Sequence, residues 1–104
     1  MFIKYHCGML ERSYTVLGLM SGTSCDGLDM ALTRIFCENG SWHFEILAAE
    51  TMTYSTNQQS ILRSLTEVSA TELMKLHAEW GSYFGVCARQ FMKQHSKHAV
   101  DFIA

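Results

Sequence analysis

Tyr14-Thr15-Val16-Leu17-Gly18-Leu19-Met20, continued by Ser21-Gly22-Thr23-Ser24-Cys25-Asp26-Gly27 and then Leu28-Asp29, is the stretch that decides the fold. Residues Tyr14 to Met20 are β-branched or aromatic at the start and apolar throughout, which predicts a strand buried on both faces. Ser21 to Gly27 crowds glycines, serines, a threonine and an aspartate together, the composition of a turn. A second strand is expected from Leu28 to Phe36. Beyond it, Asn39-Gly40 is a strong hairpin signal, because both central residues of a type I′ turn need positive φ. A third strand then runs from about Trp42 to Met52, with Trp42, Phe44, Ile46 and Ala48 on one face and His43 and Glu45 on the other. Strands joined by tight turns in this way make an antiparallel meander.

After Met52 the apolar period changes from two to 3.6. Ile61, Leu62 and Leu65 predict a short helix capped by Ser55 or Thr56. Ser69-Ala70-Thr71-Glu72 reads as a capping box opening a long helix. Along that helix Leu73, Leu76, Trp80, Phe84, Cys87, Ala88, Phe91 and Met92 keep helical spacing, and the basic end from Lys93 to His98 suits the helix dipole. Gly81 and Gly85 share a helix face, read as close packing on the sheet. His95 and His98 lie one turn apart; with no third ligand in sight they are read as helix-end residues rather than a metal site. Val100 to Ala104 begins a returning strand. Met1 to Ser13 shows no clean period and is read as a leader, with Met9 a second possible start.

The composition narrows the function classes. The 104 residues are 48% hydrophobic and 17% charged, with net charge −2, the balance of one globular domain. No strip of Lys and Arg is available to release counterions, which argues against nucleic acid. The apolar runs fall short of the roughly 18–20 residues that span a bilayer, and Met1 to Leu10 has no continuous apolar h-region. Cys7, Cys25, Cys37 and Cys87 form no C-x-x-C pair, so reduced thiols in a cytoplasmic protein are expected. Proline is absent, which suits a piece made mostly of regular elements.

The chemistry sits in the loop after the first strand. Its glycines let backbone N–H groups approach an anion, and Thr23 and Ser24 add neutral donors. It is not a Walker A loop, since no Gly-Lys-Ser/Thr follows and no helix begins at its end. Phosphate charge would be offset by amides and a magnesium ion, with Asp26 and Asp29 as hard oxygen ligands, if need be through water. On composition alone the same residues also serve as an ordinary hairpin turn with Asp26-Gly27 at its corner. Cys25 has no Lys or Arg close in sequence to activate it and is read as a spacer.

Met20-Ser21-Gly22-Thr23-Ser24-Cys25-Asp26-Gly27-Leu28-Asp29 resembles the N-terminal signature of the anhydro-N-acetylmuramic acid kinases, Met-Ser-Gly-Thr-Ser-x-Asp-Gly-x-Asp. Leu76, Gly81 and Phe84 resemble the family's Leu-Asp-x-x-Leu-Gly-x-x-Phe pattern; His77 replaces its acid and Trp80 its second leucine, so no role passes to His77. Asp101-Phe102-Ile103-Ala104 resembles the segment just before the family's His-Gly-Gln-Thr-like motif. The resemblance runs from Tyr14 to the end and covers roughly the first quarter to third of a family member.

The fold it implies is an α/β, ribonuclease-H-like and actin-like ATPase half-domain: an antiparallel meander, two helices and a returning parallel strand. Residues 14–104 would form the N-terminal part of the first domain and 1–13 the leader. The implied reaction opens the 1,6-anhydro ring of anhydro-N-acetylmuramic acid with water and phosphorylates O6 from ATP, in cytoplasmic peptidoglycan recycling. Gly22, Thr23, Ser24, Cys25, Asp26, Gly27, Leu28 and Asp29 would be the ATP phosphate loop, with magnesium on Asp26 and Asp29. The catalytic base is expected beyond residue 104, so this segment alone should be inactive and should self-associate as a homo-oligomer through its open apolar surface. The alternative is a non-catalytic nucleotide-binding or docking module of the same fold. A two-metal nuclease ranks last, because Tyr14 to Met20 carries no acid.

Overall fold

The computed structural model describes residues 12–104; the leader expected over 1–13 lies almost wholly outside them. The order is β1 (Ser13–Met20), β2 (Gly27–Glu38), β3 (Ser41–Thr53), α1 (Thr56–Arg63), a 3-10 turn (Leu65–Glu67), α2 (Ala70–Gln94) and β4 (Phe102–Ile103). The sheet order is β3-β2-β1-β4. β1 to β3 form the expected antiparallel meander, and β4 returns parallel to β1. Asp101 extends that last pairing: its N–H donates to the Thr15 carbonyl (2.8 Å) and its Oδ2 accepts from the Thr15 N–H (2.7 Å).

Local chemistry sets the element ends. Asn39 (φ +51°) and Gly40 (φ +76°) supply the two left-handed residues of the β2–β3 hairpin, with Glu38 paired to Ser41. Ser55 caps α1 in a reciprocal box with Gln58. Ser69 accepts from the Glu72 amide at the start of α2 (3.1 Å). The α2 C-terminus closes on His95, whose N–H donates to the Phe91 carbonyl and whose ring lies 4.5 Å from that of Phe91.

The core lies between one sheet face and the C-terminal half of α2. Leu17, Leu28, Met30 and Leu32 pack against Tyr54, Cys87, Ala88 and Phe91, all buried. Each such large apolar side chain contributes roughly 1.5–3 kcal/mol on burial. No helix among the described residues is long and apolar enough to cross a membrane.

Four expectations need correcting. Trp42, Phe44 and Ile46 do not share a face with Ala48: a bulge pairs Leu32 with Ala48 but Thr33 with Ile46, so Leu47 is an extra residue and the alternation flips. The aromatic run therefore points away from α2, leaving Trp42, Phe44 and Ile46 at 38%, 72% and 59% exposure. β1 is buried only at its centre, Val16 and Leu17, because α2 covers one sheet face and no described helix covers the other. Gly81 and Gly85 have open space where a Cβ would stand, so they face away from the sheet rather than packing on it. Cys25 and Cys87 are free thiols as expected, but Cys37 is disulfide-bonded.

Candidate functional site

The β1–β2 connection is wider than a hairpin. Met20 pairs with Asp29 as the last rung between these strands, while Gly27 and Leu28 pair only with Thr53 and Met52 of β3. The chain thus leaves the ladder at Ser21 and docks onto β3 before it rejoins β1. Asp26-Gly27 is not a hairpin corner. The turn falls earlier, where the Cys25 N–H donates to the Gly22 carbonyl (3.2 Å) and Cys25 takes a left-handed φ of +56°. A left-handed residue within a turn is the backbone arrangement that gathers successive N–H groups into an anion-binding concavity.

Gly22, Thr23, Ser24 and Asp26 are exposed, and Cys25 is half-buried, with its thiol donating to the Thr23 carbonyl (3.5 Å). Ser24 Oγ donates to Asp26 Oδ1 (2.7 Å). The Ser24 hydroxyl, and after it the backbone amides of Asp26 and Gly27, hold the Asp26 carboxyl below its ordinary value; the Arg63 guanidinium adds in the same direction. Asp29 stands exposed on β2 and accepts from the Thr51 hydroxyl. Gly27 and Leu28 play a different part. A Cβ on Gly27 would stand 2.8 Å from the Met52 carbonyl oxygen, so glycine permits this close approach, and Leu28 is fully buried in the core beneath the loop.

The loop is held from the exit of β3. Tyr54, only 2% exposed, donates its phenol hydrogen to Ser21 Oγ (2.8 Å) and its N–H to the Asp26 carbonyl (2.9 Å). Beside the loop, on the open sheet face, lies a groove of about 510 Å³. Gly18, Ala31 and Ala49, in register across three strands, form its floor, with Asp29 and Thr51 at the loop end.

Among the described residues no three Asp, Glu, His or Cys side chains gather to hold a metal. Magnesium needs no such cage, since one or two carboxylates with water and phosphate oxygens suffice; Asp26 and Asp29 are exposed carboxylates of that type, each already accepting from a hydroxyl, of Ser24 and of Thr51. Ser21, Thr51, Tyr54 and Arg63 are the site's neighbours that sequence reading did not place there. Only Ser21 had a local signal, as part of the Met20–Asp29 motif; the others arrive by tertiary contact.

A family model for anhydro-N-acetylmuramic acid kinase matches residues 14–104. The anhydro-N-acetylmuramic acid kinase of Pseudoalteromonas translucida is 31% identical over 106 residues, covering 97% of this chain and 26% of that protein. That of Xylella fastidiosa is 39% identical over 87 residues, 79% of this chain and 23% of the relative. That of a Picosynechococcus is 34% identical over 85 residues, 79% and 22% respectively. The chain thus spans about a quarter of the length of these curated relatives. With the matched region running from the first strand through the loop and both helices to β4, the chain belongs to the anhydro-N-acetylmuramic acid kinase family.

Proposed function

We propose that this chain is the N-terminal portion of an ATP-dependent anhydro-N-acetylmuramic acid kinase, with Gly22 to Asp29 as its ATP phosphate loop. The observation that carries the reading is an exposed loop with a left-handed turn at Cys25, clamped at both ends by buried Tyr54. Phosphoryl transfer depends on positioning and charge neutralisation, and such a loop supplies positioning. Water adds to C1 of the sugar, the bond from C1 to O6 breaks, and O6 takes the γ-phosphoryl group as ADP leaves. The proton of the water passes to a base outside these residues. Backbone N–H groups of the loop orient the phosphates, and the Thr23 hydroxyl adds a donor. Magnesium, held by Asp26 and Asp29 directly or through water, supplies the neutralising charge when bound.

The sheet order with its parallel β4 supports the first part of a ribonuclease-H-like, actin-like domain. A small-molecule sugar substrate, no nucleic acid and a role in peptidoglycan recycling go with that reading. A cytoplasmic setting does too, although the Cys37 disulfide pulls against it. The segment alone is inactive and self-associates through Trp42, Phe44, Ile46 and Phe102, which lie open to solvent. A clean monomer on sedimentation at tens of micromolar would contradict the self-association.

The test of function is ADP release with product mass, using protein from the complete reading frame, anhydro-N-acetylmuramic acid and Mg·ATP. A product heavier by one water and one phosphoryl group is expected. Folded protein without turnover favours the non-catalytic module.

A further inference from the structure

We infer that Tyr54 is the positioning residue of the phosphate loop, setting its span and the direction of the Ser21 hydroxyl; the inference rests on the phosphate-loop reading above. Ser21 is the first residue after β1 and Asp26 the last before β2. Tyr54 holds one with its side chain and the other with its backbone, at 2.8 and 2.9 Å, so one residue fixes the distance between the two arms.

Tyr54 is itself immobilised. Its carbonyl accepts from Gln59 Nε2 (3.1 Å), and its ring packs edge-on against Trp80 (5.8 Å between centroids) and tilted against Tyr83 (6.2 Å), both on α2. The loop is exposed, but its anchor is locked into the core, so its shape is set before a ligand arrives. The direction of the bond also matters. A serine hydroxyl has one hydrogen and two lone pairs. Because Ser21 Oγ accepts from Tyr54, its own hydrogen is left to point elsewhere, and Ser21 is exposed. An anionic phosphate oxygen above the loop is the acceptor that hydrogen suits.

The experiment is calorimetric titration of Mg·ADP into the protein from its complete reading frame, as wild type, Tyr54→Phe, Ser21→Ala and the double variant. Tyr54→Phe keeps the ring between Trp80 and Tyr83, and Ser21→Ala changes an exposed position, so thermal unfolding should show all four folded. Each single variant is expected to weaken binding roughly five- to tenfold, the scale of one hydrogen bond. The double variant should bind no worse than the weaker single, because Tyr54 acts through Ser21. A general loosening of the fold would not produce that non-additivity. Losses that multiply, or a Tyr54→Phe variant that binds like wild type while wild type binds well, would overturn the positioning role and leave the phosphate loop standing. Folded wild type that does not bind Mg·ADP would overturn the phosphate loop, and the role of Tyr54 with it.

Discussion

The two connections of the meander reverse the chain by different means. Between β2 and β3 the turn is Asn39-Gly40, both left-handed, and a Cβ on Gly40 would meet nothing within 4 Å. Its geometry is set by its own two residues. Between β1 and β2 the chain makes a longer excursion from Ser21 to Asp26, and its anchors come from far along the sequence: Tyr54 on Ser21 and Asp26, Met52 against Gly27, Thr51 on Asp29. A turn that only reverses direction specifies itself. The β1–β2 loop is exposed yet fixed by several distant partners, as the phosphate site proposed for it would require.

The sharpest way to break this contrast is a glycine in each connection. Gly27→Ala drives a Cβ against backbone at 2.8 Å and is expected to cost about 1–3 kcal/mol in denaturant unfolding, with loss of Mg·ADP binding. Gly40→Ala meets no neighbour but must hold a positive φ, so it should cost about 1 kcal/mol and leave nucleotide binding unchanged. Nucleotide loss from Gly40→Ala, or none from Gly27→Ala, would erase the distinction.

The smallest effect concerns charge. The carboxyl of Asp26 titrates below its unfolded value, so its stabilisation is present above the unfolded pKa and is lost as pH falls through the lowered folded one. Ser24→Ala removes the largest cause, and the carboxyl resonance of Asp26 should then titrate closer to the ordinary value. Since Asp26 is exposed, global stability should barely change. An unmoved titration would show that Ser24 does not shape the loop's charge.

Sequence alone made the self-specified features legible. Asn39-Gly40, the cap at Ser55, the start of α2 at Ser69 and the returning β4 each carry their signal within a few residues. The family was legible too, through the order of letters from Met20 to Asp29. What escaped was tertiary. The bulge at Leu47 has no glycine or proline to mark it, yet it turned Trp42, Phe44 and Ile46 outward. Tyr54, beside the Ser55 cap, belongs to no apolar period that points to Ser21, and nothing local tells that Leu28 supports the loop from the core. The apolar spacing of α2 does name the side that meets the sheet, through Trp80, Phe84, Cys87, Ala88 and Phe91, but Gly81 and Gly85 lie off that stripe and face open space, so reading their shared face as sheet packing fails.

We propose that the Ser21–Asp26 loop, and not the Asn39-Gly40 turn, holds phosphate. Backbone amide shifts recorded while Mg·ADP is titrated into the protein test it directly. Saturable shifts are expected at Gly22 through Asp26, with Asn39 and Gly40 unmoved. Saturable binding that leaves the Gly22 to Asp26 amides in place would contradict it.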